Sequence, residues 1–158
     1  MKTNNKFNQL AQLSSGIRKL TLKRLEEVPA EFINWRLNNT AMSFAHLAKH
    51  IIDVDEIFFS LSTTNKRTFI WEMGSQEPHF KADEPMYSSL LNTLKNNSEK
   101  RHSIISGFND ITIDDLVLNE KNKEITLWWF IMHHLLEHET YHRGQIAAYL
   151  KVLKGESD

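Results

Sequence analysis

Apolar positions recur at helical spacing along four stretches of the chain. In the first, from Lys6 to Glu27, residues three or four apart would share one helix face. These residues are Phe7, Leu10, Leu13, Ile17, Leu20 and Leu25. Pro29 is expected to end this helix, and a further turn of helix is predicted around Phe32 to Trp35. The pattern therefore predicts a long amphipathic helix at the start of the chain.

A second helix is predicted to begin near Asn39 or Thr40, since either residue is a good N-cap, and to run to about Leu61. Its apolar stripe contains one histidine, and the stripe consists of Leu47, His50, Val54, Ile57, Phe58 and Leu61. His46 instead shares its side of the helix with Lys49 and Asp53, which predicts a more solvated position.

Residues 63–84 are the least regular part of the chain, and we expect loop and short helix there. Asp83 before Pro85 predicts the start of a third helix, which should run to about Gly107. A polar connection is predicted from Asn109 to Lys123.

The fourth helix is predicted from about Glu124 to Leu153, with its end at Gly155. Its inward face has both apolar and polar members. They are Leu127, Phe130, Ile131, His134, His138, Tyr141, His142, Gln145, Ala148, Tyr149 and Val152. With only five glycines and three prolines, the chain has few turn residues for a protein of many strands. Four long helices therefore predict an all-α four-helix bundle, with residues 1–158 forming a single domain.

Composition narrows the functional classes. Hydrophobic residues make up 41% of the chain, charged residues 25%, and the net charge is −1. Neither nucleic acid nor an anionic membrane surface is therefore expected as a partner. The N-terminal residues show no apolar signal segment, which predicts a cytoplasmic protein. The chain has no cysteine, so a bound metal would need His, Asp or Glu ligands.

Histidines form pairs at a spacing of four more often than chance predicts. Eight histidines placed at random among 158 residues give roughly 0.4 such pairs. The chain has three, namely 46/50, 134/138 and 138/142. Residues four apart lie on one face of a helix, so this excess predicts a divalent metal site. A set of hydrogen-bonded core histidines is the alternative.

Two ligands on one helix rarely complete such a site, because a zinc-like ion usually takes three protein ligands. The third is expected from the second helix, which offers His46 and His50. The apolar stripe favours His50.

The stretch from His138 to Gln145, HETYHRGQ, resembles the closing signature of the DinB-like (damage-inducible) superfamily, which includes DUF664-type members. Ser43, Leu47 and His50 also fit the second-helix pattern of that family. The resemblance implies the DinB/YfiT-like metalloenzyme fold, with nickel or zinc held by His50, His138 and His142. Gln145 is then expected either to hydrogen-bond a ligand imidazole or simply to cap the site. His134 is expected to be a fourth ligand, a neighbour that supports the ligands or a proton carrier, and a non-ligand role is favoured.

His138 to His142 also matches HExxH, the zinc-peptidase signature in which the glutamate is the general base. The 16 residues after His142 supply no downstream third ligand of the usual peptidase kind, and no sheet signal accompanies the motif. The match is therefore interpreted as incidental, and Glu139 is expected to support the ligands or to lie at the surface.

Three functional alternatives are open, of which the first two follow from the family resemblance and the third from the ligand set. The first is a metal-dependent transferase that joins a low-molecular-weight thiol, such as bacillithiol, to an electrophile. The second is a non-catalytic, stress-related metal-binding dimer, for which Trp71, Trp128 and Trp129 are candidate interface residues, with core packing as the commoner use of such residues. The third is a metal-dependent hydrolase. The expected partners are a small-molecule substrate and a second copy of the chain.

Overall fold

Four long helices build the protein, as the sequence pattern predicts. The computed structural model describes residues 6–64, 66–71 and 80–155. The first three helices are continuous: α1 (Lys6–Glu26), α2 (Phe44–Thr63) and α3 (Glu84–Ser106). The α3 bounds agree with prediction, because Asp83 accepts a hydrogen bond from Met86 N and Gly107 ends the helix.

The start of α2 differs from the prediction. Asn39 and Thr40 lie in a turn, in which Asn38 Oδ1 accepts hydrogen bonds from the backbone N–H groups of Thr40 and Ala41. Ser43 is the N-cap, since its Oγ accepts from His46 N. A side chain that closes its own turn thus displaces the helix start to Phe44.

A short hairpin separates α3 from the last helix. After α4 (Asp110–Ile113), strand β1 (Leu116–Leu118) pairs antiparallel with β2 (Glu124–Thr126). The predicted helix start at Glu124 is therefore wrong, because this residue lies in a strand. Thr126 caps the helix that follows by accepting from Trp129 N.

The last helix has three continuous parts. It begins as α5 (Leu127–Trp129), becomes π-helical over Phe130–Glu137, and continues as α6 (His138–Lys154). Hydrogen bonds in a π-helix skip one residue more than in an α-helix, and such segments are frequent at functional sites. Tyr141 and Val152 are exposed, contrary to their predicted inward position.

Segment 66–71 is attached to the hairpin. Phe69 N donates to Leu118 O at 2.9 Å, and Leu118 N donates to Arg67 O at 2.6 Å. Trp71 N donates to Glu120 Oε2 at 3.2 Å. Within the irregular segment predicted over residues 63–84, Met73, Gly74 and Pro78 lie outside the described residues. No helix in the described ranges combines the length and apolar character needed to cross a membrane.

Two apolar clusters fill the bundle, one towards each end. One contains Phe7, Leu10, Phe58, Ile105 and Phe130, and the other contains Leu25, Leu47, Leu94, Ile146 and Leu150. Each long helix also carries a buried charged group, which on α1, α3 and α6 lies between the residues of the two clusters. These are Arg18 on α1, Asp55 on α2, Arg101 on α3 and Glu139 on α6.

The four charged groups form one closed network. Arg18 Nε donates to Glu139 Oε1 at 2.8 Å, and Arg18 Nη2 donates to Asp55 Oδ1 at 2.9 Å. Arg101 Nη1 contacts both carboxylates. Arg18 also donates to Leu94 O, and Arg101 donates to Ser14 Oγ. Asp55 accepts a further hydrogen bond from Asn97. Two positive and two negative charges thus compensate each other away from water.

Burial alone would raise the pKa of Glu139, but Arg101 and Arg18 lower it to about 2. Burial likewise works against the charge on Arg18, and its two carboxylate partners raise its pKa above the ordinary value. Both groups therefore stay ionised over the neutral range.

We expect Arg18→Met to lower the free energy of unfolding by about 3 to 5 kcal/mol, because it leaves two buried carboxylates with one arginine. Urea unfolding followed by circular dichroism measures this loss. Arg24→Met is the matched control on the same helix, since Arg24 pairs with Glu27 at the surface; its expected effect is below about 1 kcal/mol. Equal losses in both variants would contradict the role given to the buried network.

Candidate metal centre

Helices α2 and α6 bring three histidines together. His50 lies near the middle of α2, His138 is the first residue of α6, and His142 lies one turn further on. Since Glu139 points towards α1 and α3, its neighbours His138 and His142 lie on the side of α6 that meets α2. The three histidines proposed from the sequence therefore lie at one place.

Their Nε2 atoms converge. His138 Nε2 is 3.0 Å from His50 Nε2 and 2.9 Å from His142 Nε2. One ligand atom from each ring lies within 4.8 Å of the others. A tetrahedral ion with nitrogen ligands at about 2.0 to 2.1 Å requires nitrogens about 3.3 Å apart. The three rings thus need only a small adjustment to hold one ion.

The site disfavours protonated histidine. Burial lowers the pKa of His50 to about 4, and the nearby His142, His46 and Lys49 act in the same direction. Burial and the other histidines lower the pKa of His138 to about 3. The pKa of His142 is also lowered by burial, although Gln145 and Glu139 oppose the shift. At neutral pH the cluster therefore presents neutral imidazoles, the form that binds metal.

Gln145 sets the hydrogen position on His142. The Nδ1 atom of His142 lies 3.0 Å from Gln145 Oε1, and Gln145 Nε2 donates to the Tyr149 hydroxyl at 2.8 Å. Because an amide oxygen only accepts, Nδ1 carries the hydrogen and Nε2 keeps its lone pair for the centre of the cluster. His50 Nδ1 is buried without a hydrogen-bond partner in the described parts of the chain.

An aromatic wall borders the cluster. The Trp71 ring meets His138 nearly edge-on, with centroids 4.9 Å apart, and lies 4.1 Å from His134. Phe69 and Phe130 also contact the His134 ring. His134 is thus packed among aromatic rings and lies outside the three-histidine group.

Glu139, the glutamate of the HExxH match, is buried at its contacts with Arg18 and Arg101. A surface position is therefore wrong for this residue. A peptidase base must reach water beside the metal, whereas this carboxylate is fully used within the charged network.

His46 is buried, and its ring lies 6.1 Å from that of Phe80. The predicted solvated position is therefore wrong, although His46 does not join the three-histidine group. Sequence reasoning also missed Arg18, Asp55 and Arg101, whose partners lie far away along the chain. Trp128 and Trp129, the candidate interface residues next to the hairpin, are exposed.

Comparison with known proteins gives a family and a fold. The model of the DinB family matches residues 1–154. The chain is similar in structure to YfiT from Bacillus subtilis, described as a probable metal-dependent hydrolase with an unusual four-helix bundle topology. The TM-score is 0.73 at 14% identity, over 99% of this chain and 92% of that one. No curated protein matches the chain.

The lowered pKa values of His50 and His138 predict a pH dependence of stability. In the unfolded chain both would titrate near 6.5, so between pH 6.5 and about 4 the unfolded state binds more protons than the folded state. We therefore expect the free energy of unfolding of the metal-free protein to fall as the pH drops through this window. Urea unfolding across the window measures the slope.

The variant His138→Asn should reduce that slope, because it removes one of the two groups whose pKa is lowered on folding. An unchanged slope in His138→Asn would contradict the assignment of this pH dependence to the lowered pKa of His138.

Proposed function

This chain belongs to the DinB family, and on that premise we propose that it binds a divalent metal ion through His50, His138 and His142 to act on a small molecule. The convergence of three Nε2 atoms in a buried site carries this proposal. Such a site stabilises neutral imidazoles and has no carboxylate or cysteine donor within the group. The donor set suits zinc or nickel, since both ions bind imidazole well.

When bound by three neutral imidazoles, such an ion keeps its positive charge and open positions, and so lowers the pKa of a coordinating thiol or water. The surrounding residues have separate tasks. Gln145 orients His142, and Trp71 forms an apolar wall beside His138.

Space for a small molecule lies nearby. A cleft of about 560 Å³ is lined by Asp53, which lies one turn along α2 from His50, by residues of segment 66–70 and by the hairpin turn, and none of the three histidines lines it. Ile57 and Phe69 supply apolar surface to this cleft, and Glu56 and Glu120 supply polar groups. These features favour a substrate with both apolar and polar parts.

We propose that the reaction transfers a low-molecular-weight thiol, of the bacillithiol type, to an electrophile. The chain has no cysteine, so a nucleophilic thiol must come from a co-substrate. Thiolates bind zinc and nickel well, which makes a thiol a fitting partner for the open positions. The co-substrate sulfur would form the new bond as the leaving group departs from the electrophile, and the thiol proton passes to solvent.

A metal-dependent hydrolase is the second candidate, favoured by the structural similarity to YfiT. A non-catalytic metal-binding dimer is the third, and the exposed side chains of Trp128 and Trp129 favour an interface next to the hairpin. These candidates share the metal site and differ in what it does.

Metal affinity tests the ligand set. We expect wild-type protein, purified without a histidine tag, to bind about one zinc or nickel ion per chain in calorimetric titration. His50→Ala should weaken binding by at least about 100-fold, because it removes one of three donors. His46→Ala is the matched control, since it removes the same side chain from the same helix, and should retain affinity. The reverse ranking would overturn the assignment of His50.

Activity assays separate the candidate reactions. With bacillithiol and a chlorinated or epoxide electrophile, we expect conjugate formation that stops on chelation and returns when zinc or nickel is restored. Mass spectrometry detects the conjugate. Conjugation that persists in the chelated protein would contradict the metal-dependent mechanism. Ester or amide cleavage without thiol would support the hydrolase instead.

A further inference from the structure

We propose that Tyr149 is a positioning residue for the metal site, and that its hydroxyl holds the Gln145 amide against the His142 imidazole. This inference rests on the proposed metal binding, because it concerns one ligand of the same site.

The side chains of His142, Gln145 and Tyr149 form a continuous series of hydrogen bonds along one side of α6. His142, Gln145 and Tyr149 follow each other at spacings of three and four, so their side chains stack on one face. Gln145 Oε1 lies 3.0 Å from His142 Nδ1, and Gln145 Nε2 lies 2.8 Å from the Tyr149 hydroxyl oxygen. One amide therefore contacts the ligand with its oxygen and the tyrosine with its nitrogen.

Metal binding would fix which atom donates and which accepts in each hydrogen bond that links His142, Gln145 and Tyr149. A His142 that offers Nε2 to an ion carries its hydrogen on Nδ1, and this hydrogen needs an acceptor. Gln145 Oε1 is that acceptor, which turns the NH₂ group of the same amide towards Tyr149. The hydroxyl oxygen of Tyr149 accepts from it and thereby restrains an otherwise flexible side chain.

The Tyr149 ring is itself fixed by packing. Only 4% of the residue is exposed. The ring stands nearly perpendicular to those of Trp35 and Phe44, at centroid distances of 5.3 and 5.6 Å. Phe44 is the first residue of α2, the helix that carries His50. Tyr149 therefore packs against the helix of one proposed ligand while its hydroxyl bonds the partner of another.

The test compares single and double variants in zinc titration. Tyr149→Phe keeps the packed ring and removes only the hydroxyl, and we expect it to weaken zinc binding by at least about threefold. Gln145→Ala should weaken binding by about 10- to 100-fold, the usual range for partners of metal ligands. In the Gln145→Ala background, Tyr149→Phe should cause no further loss, because the hydroxyl acts through the amide.

Tyr87→Phe is the matched control. Tyr87 is a buried tyrosine on α3 whose hydroxyl donates to Leu25 O of α1 at 2.8 Å. Neither of these helices carries a proposed ligand. Loss of the Tyr87 hydroxyl should leave zinc affinity unchanged even if it lowers the melting temperature. The proposal would be overturned if Tyr149→Phe bound zinc as tightly as the wild type. It would also be overturned if Tyr149→Phe lowered zinc affinity by the same factor in the wild type and in Gln145→Ala.

A measurement on metal-free protein separates this proposal from the function. Long-range ¹H–¹⁵N spectra report which nitrogen of His142 carries the hydrogen. We expect the Nδ1–H form to dominate in the wild type and to decrease in Tyr149→Phe; an unchanged tautomer would overturn the positioning role. If wild-type protein binds neither zinc nor nickel, the proposed function fails, and the role of Tyr149 in metal binding fails with it. If wild-type protein binds and Tyr149→Phe binds equally well, only the present inference fails.

Discussion

The charged network of Arg18, Asp55, Arg101 and Glu139 is the constraint on which the arrangement of the bundle depends. It takes one residue from each of the four long helices, and its hydrogen bonds are satisfied only when all four are in register. A rotation of α6 would separate Glu139 from both arginines and leave buried charge uncompensated. Because His138 is adjacent to Glu139, the same constraint directs the histidines of α6 towards His50.

Local signals explain what the sequence could predict. Asp83, Pro85 and Gly107 determine the ends of α3 through contacts within a few residues, so that helix was predicted within one residue. The histidine spacing and the apolar stripe of α2 likewise identified the group that the structure brings together. Helical periodicity is a local property, and it is sufficient for these features.

Long-range contacts explain what the sequence could not predict. On α1, Leu13 and Leu20 counted towards the apolar face, but they are 52% and 51% exposed. Arg18 and its neighbours Ser14 and Thr21 are buried instead, because the partners of Arg18 lie 37 and 121 residues away. On the last helix, the π-helical segment changes the angular position of every later residue, so a face extended from Leu127 misplaces Tyr141 and Val152.

The distribution of the histidines over α2 and α6 has a consequence for the chain as a polymer. His50 and His138 are 88 residues apart in sequence and 3.0 Å apart at their Nε2 atoms. An ion held by both would close a loop of more than half the chain, in a protein that has no cysteine for a disulfide. By chain-entropy arguments, a permanent cross-link over a loop of that size is worth on the order of 5 kcal/mol. The metal would thus act as a reversible cross-link between α2 and α6, and its concentration would determine how much the cross-link adds to the free energy of unfolding.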